Sequence, residues 1–119
     1  MSTEPEEDSI LPHRAYLVIN SQIFPLKKRL TTIGRRLEND LVLQDPLISR
    51  DHAQIELLEK EFLLRDLKST SGTYVNNKKI DETPLFSGDI IMVANIPIMF
   101  VKDSMAMSDE FEKRTDKLD

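Results

Sequence analysis

Apolar residues fall along this chain in short runs separated by turn-forming positions, and their spacing is that of strands. From His52 to Leu58 the alternation is regular: Ala53, Ile55 and Leu57 share one side, Gln54 and Glu56 the other, as in a strand with one wet face. Upstream, Ala15–Gln22 reads as one strand. Ile23–Leu26 and Leu30–Ile33 read as two more, separated by Pro25 and the Lys27–Lys28–Arg29 cluster, and Leu41–Leu43 as a short one ending at Asp45–Pro46. Downstream, Phe62–Leu67 follows a turn at Glu59–Lys60–Glu61. Thr73–Val75 and Lys79–Ile80 flank Asn76–Asn77, a pair that tolerates the left-handed backbone of a tight hairpin. Asp89–Val93 and Ile96–Val101 form the last hairpin, around Asn95. Ten or so short strands with no intervening helical pattern predict an all-β domain over 13–101, built as two packed antiparallel sheets. Residues 1–12 read as a flexible acidic arm, and 102–119 as a polar tail in which Ser108 could cap a short helix through Leu118.

A length of 119 residues allows one domain, and a chain of this size buries roughly 60–70% of its extended surface without needing a staple. The sequence has no cysteine, which excludes a disulfide scaffold, a zinc ribbon and a thiol nucleophile together. The N-terminus is acidic where a secretory signal would be basic, and no run of 18 apolar residues exists to span a bilayer. A cytoplasmic protein is expected. The net charge of −5 is unevenly spread: the arm carries −4, the tail −2 and the central domain +1. Such a balance disfavours nonspecific binding to nucleic acid or membrane, yet leaves room for one local basic pocket.

Three segments with chemistry fall in turns: Gly34–Arg35, Ser49–Arg50–Asp51–His52, and Ser69–Thr70–Ser71–Gly72–Thr73, with Asn76 following. Loops at one end of a sandwich are a usual place for a binding site. Together these segments offer two guanidinium groups, several hydroxyls and backbone N–H groups, with no basic tract. Arginine matches phosphate oxygens with a bidentate fork, and hydroxyls complete such a shell without adding charge. One phosphoryl group on a peptide is a natural occupant.

At this point the chain resembles the forkhead-associated (FHA) domain family, over essentially all of Ala15–Val101. The resemblance rests on Thr32–Ile33–Gly34–Arg35, Asn39–Asp40–Leu41–Val42–Leu43, Ile48–Ser49–Arg50–Asp51–His52–Ala53, Asp66–Leu67–Lys68–Ser69–Thr70–Ser71–Gly72–Thr73–Tyr74–Val75–Asn76 and Leu85–Phe86–Ser87–Gly88–Asp89–Ile90–Ile91, in the family's order and spacing. It implies an eleven-stranded SMAD/FHA-type β-sandwich that binds phosphothreonine peptides through loops at one end and needs no cofactor or metal. By the same resemblance, Arg35 and Ser49 match the two central phosphate contacts. Arg50 matches a contact to phosphate or peptide backbone, and Thr70 a further hydroxyl or backbone donor. Ser71 stands where the family usually has an asparagine that bonds the peptide main chain. Asn76 matches an asparagine that contacts the peptide or braces the loops. His52 matches a histidine that supports the loops from behind, with Gly34 and Gly72 as structural support. Leu47 and Lys68 occupy positions that help select the residue three places after the phosphothreonine: Leu47 favours an aliphatic side chain there, Lys68 an acidic one.

The three glycines, Gly34, Gly72 and Gly88, all fall inside these segments, where positive φ or close approach is required. Asn77 and Ala94 stand where the family has glycine. The implied partners are phosphothreonine proteins and the Ser/Thr kinase that marks them, or its substrates. An enzyme would have to use Ser49, His52 and one of Asp45, Asp51 or Asp66, but Gly-x-Ser-x-Gly is absent, as are metal-ligand spacings and a Walker motif. The rival reading is a degenerate FHA fold that binds proteins independently of phosphate. Thr3, ahead of Glu4–Pro5–Glu6–Glu7, adds a candidate for phosphorylation and self-binding through the arm.

Overall fold

The structure, a computed structural model, describes residues 13–104. The arm with Thr3 and the helix expected at Ser108–Leu118 lie outside the described residues. Eleven strands form: β1 His13–Ile19, β2 Gln22–Pro25, β3 Leu30–Gly34, β4 Leu41–Val42, β5 Ala53–Leu58, β6 Glu61–Asp66, β7 Thr73–Val75, β8 Lys78–Lys79, β9 Glu82–Leu85, β10 Ile90–Val93 and β11 Ile96–Ser104. They make a six-stranded sheet, β2-β1-β11-β10-β7-β8, and a five-stranded sheet, β4-β3-β5-β6-β9. The chain crosses between the sheets at β2–β3, β6–β7, β8–β9 and β9–β10, so neither sheet folds as a local unit.

The alternation seen in the sequence places the core. Ala53, Ile55 and Leu57 of β5 are buried, as are Phe62 and Leu64 of β6, and they face Leu17, Ile91, Ile98 and Phe100 of the six-stranded sheet. Phe62 and Phe100 meet across the interior with ring centroids 5.5 Å apart and planes tilted by 60°, an arrangement favourable to the ring quadrupoles.

Four local expectations are corrected. Ala15–Gln22 is not one strand: Asn20 and Ser21 both take left-handed backbone, with φ of 51° and 66°, and make a two-residue hairpin turn between β1 and β2. The sheets are not wholly antiparallel, because β4 pairs with β3 in parallel, Ile33 opposite Leu41. β9 went unread because Pro84 interrupts it. It is an edge strand, where a missing N–H can face outward without breaking a ladder. The last strand continues past Val101 to Ser104, held by β1. The Asn76–Asn77 turn forms as the sequence requires, with φ of 50° and 73°. Ala94 takes φ of 55° at the final hairpin, a conformation that costs an alanine more than the glycine it replaces.

Truncating Phe100, which has no exposed surface, should remove about 3–5 kcal/mol of stability. Leu58→Ala, on a half-exposed side chain, should stay within about 1 kcal/mol. Urea denaturation followed by circular dichroism checks both.

Candidate functional site

Three loops meet at one end of the sandwich: 35–40 between β3 and β4, 43–52 between β4 and β5, and 67–72 between β6 and β7. Gly34 begins the assembly. A Cβ there would collide with the Arg50 carbonyl and come within 2.6 Å of the Asn39 amide nitrogen, so only glycine lets the first two loops touch. They are then stitched by backbone bonds from Arg35 N–H to the Ser49 carbonyl (3.0 Å) and from Arg36 N–H to the Arg50 carbonyl (3.2 Å). The Asn39 side-chain amide donates to the Arg36 and Arg50 carbonyls, at 3.2 and 2.8 Å.

His52 ties the third loop in. It is fully buried, its Nδ1 accepts from Ser49 N–H at 3.0 Å, and its Nε2 lies 2.9 Å from the Gly72 carbonyl. A nitrogen facing an N–H must accept and one facing a carbonyl must donate, so the ring is the neutral Nε2–H tautomer. Two hydrogen bonds complete the closure: Thr70 N–H donates to Ser49 Oγ at 3.0 Å, and Ser71 Oγ donates to the Leu47 carbonyl at 2.7 Å.

Asp66 organises the third loop from below. Its carboxylate accepts from Ser69 Oγ (2.6 Å), Ser69 N–H (3.1 Å) and Thr73 Oγ1 (2.7 Å), and Ser69 Oγ in turn accepts from Gly72 N–H at 3.0 Å. Partial burial pushes this carboxyl up. The bonds from Ser69 and Thr73 outweigh it and hold the group below its ordinary 3.8. Asp40 is lowered in the same way: burial opposes, while Lys28 and both the hydroxyl and N–H of Thr32 prevail. In the sequence Asn39 and Asp40 stand only as parts of motifs, and Asp66 also as the carboxylate an enzyme reading would need; none of the three is given this bracing role. The signal available was a short polar side chain placed just before or after a turn of hydroxyl residues.

Arg35 is exposed, and its Nε donates to the Ile48 carbonyl at 3.0 Å. Arg36 pairs with Asp51 at 3.3 Å, whereas Arg35 and Arg50 enter no ion pair among the described residues. The structure thus brings together Arg35, Ser49, Arg50, Thr70 and Ser71. Leu47, 54% exposed, stands beside Ser71, and Lys68 sits on the same third loop with left-handed backbone (φ 57°). Asn76 is not in this group. It follows β7 at the end away from the Ser69–Gly72 loop, where its amide donates to Asp89 (2.9 Å) and accepts from Ile90 N–H (3.0 Å). Of the two roles implied for it, that geometry is the brace. Among the described residues, no three His, Asp or Glu side chains are grouped to hold a metal.

The FHA domain family model matches residues 31–94, and the chain belongs to that family, whose members are non-catalytic modules that bind phosphothreonine peptides. It is similar to the glycogen accumulation regulator GarA of Mycobacterium tuberculosis, 35% identical over 78 residues that cover 66% of this chain and 48% of that protein. It is similar also to the oxoglutarate dehydrogenase inhibitor of Corynebacterium efficiens, 37% identical over 78 residues, covering 66% and 55%. The chain thus spans about half the length of these curated relatives. Among solved structures, Mycobacterium tuberculosis EmbR in complex with a low-affinity phosphopeptide superposes with a TM-score of 0.74 at 31% identity, covering 76% of this chain and 25% of that one. A structure from work on phosphothreonine-dependent FHA domain interactions gives 0.70 at 31% identity, covering 74% and 95%.

The lowered Asp66 and Asp40 carboxyls fix the sign of the acid response. Their contribution is complete above 3.8, the unfolded value, and is lost as pH falls through the lower folded values. Asp66→Asn should therefore be less stable than the parent at neutral pH, with the difference shrinking at pH below 3.8. Thermal melts across that range test it.

Proposed function

We propose that this chain recognises phosphothreonine on proteins marked by a Ser/Thr kinase, with Arg35, Ser49, Arg50 and Thr70 holding the phosphate. The carrying observation is the pairing of two exposed guanidinium groups, in no ion pair among the described residues, with a hydroxyl of defined polarity. Ser49 Oγ already accepts the Thr70 N–H, so its own proton is left to donate to a phosphate oxygen. Thr70 has spent its backbone N–H on that bond, and its hydroxyl is what remains for the ligand. Arg35, steadied at Nε by the Ile48 carbonyl, presents its terminal fork for a bidentate contact. Ser71 donates its hydroxyl proton to Leu47 and keeps lone pairs that can accept from a peptide N–H, a weaker clamp than an asparagine amide.

Threonine should be preferred to serine by its γ-methyl, worth about 0.8 kcal/mol or roughly fourfold for one buried methyl. Leu47 supports an aliphatic residue at the third position after the phosphothreonine, and Lys68 an acidic one. The phosphate-independent reading is the weaker, since a surface that never met phosphate has no need of two arginines around a serine hydroxyl that find no carboxylate among the described residues. The proposed compartment is the cytoplasm, and the proposed partners are phosphothreonine proteins, including the kinase or its substrates. A phosphorylated Thr3 would be a further ligand, since tethering gives effective concentrations near the millimolar range. If it binds its own domain, phosphorylation at Thr3 should reduce the affinity for added phosphopeptide several-fold. Unchanged affinity removes that option.

The direct test is calorimetric titration with a degenerate phosphothreonine peptide pool, beside unphosphorylated and phosphoserine pools. Micromolar binding of the phosphothreonine pool alone, weakened about 100-fold or more by Arg35→Ala, is the expected result for losing a charge-assisted bidentate contact. Sequencing the retained peptides then reads the third-position preference. Equal heats from phosphorylated and unphosphorylated pools would overturn the reading.

A further inference from the structure

The two outward faces of the sandwich differ in kind. On the five-stranded sheet the outward positions are mixed: Leu30, Leu63 and Pro84 lie in register with Glu56, while Arg65 pairs with Glu56 at 3.8 Å and with Glu82 at 3.1 Å. On the six-stranded sheet the cross-strand registers generate apolar rows instead. The middle row runs Ile23, Val18, Met99 and Ile90 across β2, β1, β11 and β10. The row toward the loops is Pro97, Met92 and Tyr74, and the row toward the foot is Pro25, Tyr16 and Val101. Ile23 is 65% exposed and Met99 40%, and the rest are partly or fully open to solvent. Charge is confined to the rim: Arg14 beside Asp103 at the foot and Lys79 at the β8 edge.

Strands with one wet face alternate. Here Tyr16–Ile19, Ile90–Val93 and Ile96–Val101 are apolar at almost every position, the pattern of strands covered on both faces. Three of the four sheet edges, by contrast, are guarded by their residues, β2 by Pro25, β8 by Lys78 and Lys79, β9 by Glu82 and Pro84, and the fourth, β4, is only two residues long. This domain is thus closed to edge pairing and open on one face.

We propose that this face pairs with the same face of a second copy. Five strands at about 4.8 Å spacing and three rows about 7 Å apart give a footprint on the order of 400–500 Å² per copy. Two copies together reach roughly 1,000 Å², the lower limit for a specific interface and the size of a reversible one. Arg14, Asp103 and Lys79 put charge of both signs at the rim, so like charges need not face each other across a two-fold contact. The recognition loops lie at the end of the sandwich and stay free, so a dimer presents two sites. Resting on the phosphothreonine reading, this would favour doubly phosphorylated or oligomeric partners by avidity.

Sedimentation velocity of the full chain over a micromolar concentration series tests the pairing. The expected result is a monomer–dimer equilibrium, with dimer affinity reduced tenfold or more by Ile23→Lys and by Met99→Lys. Both side chains are exposed, so both variants should melt like the parent and bind a singly phosphorylated peptide as before. A chain that stays monomeric throughout overturns the proposal, including the case in which residues 105–119 or another protein cover the face. A dimer indifferent to both substitutions overturns the assignment to this face. Neither result bears on phosphopeptide binding, which is read separately on the same variants.

Discussion

With no surface open to water, the His52 imidazole must satisfy both ring nitrogens inside the protein, and it does so between two loops. One partner is the Ser49 N–H. The other is the Gly72 carbonyl, on the connection that carries the chain from one sheet to the other. The geometry of the recognition end follows from this. It sets where Ser49 Oγ stands, hence where the Thr70 N–H can be accepted, and it fixes the loop that Asp66 supports from below. Replacing the ring with an apolar group would orphan a buried donor and a buried acceptor together, each costing about 1–3 kcal/mol.

How much could be read in advance depended on whether a residue's role is local. The β5 alternation placed three core residues because a strand's facing is set by its own parity. Asn76–Asn77 was legible because the turn constrains its own backbone. Arg35, Ser49, Arg50 and Thr70 were singled out by ordered motifs, and the structure brings the loops that carry them to one end. The bracing roles of Asp66 and Asn39 could not be read because their partners lie across loops, where spacing is silent about who bonds whom. The same limit explains Asn76, whose place beyond β7 depends on a register with β10. Pro84 hid β9 because its tolerance rests on the strand being at an edge, a fact of topology.

Division of labour between the sheets is the broader pattern. The five-stranded sheet interrupts its outward face with the Glu56, Arg65 and Glu82 ion pairs. The six-stranded sheet carries the large aliphatic and aromatic residues on both sides. Recognition at the loops and contact at the flank thus draw on different surfaces, and substitutions in one need not disturb the other when no partners are shared.

The Ser49–Thr70 bond and the Arg35 anchor to Ile48 form before any ligand arrives. Encounter then requires no loop closure, and differences among ligands fall on how long each stays. On the proposed reading, a phosphate seated among these groups would be hidden from a phosphatase for one residence time and open to attack between visits. The domain's lifetime on its target, set by a few hydrogen bonds, would therefore decide how long a kinase's mark outlives the kinase.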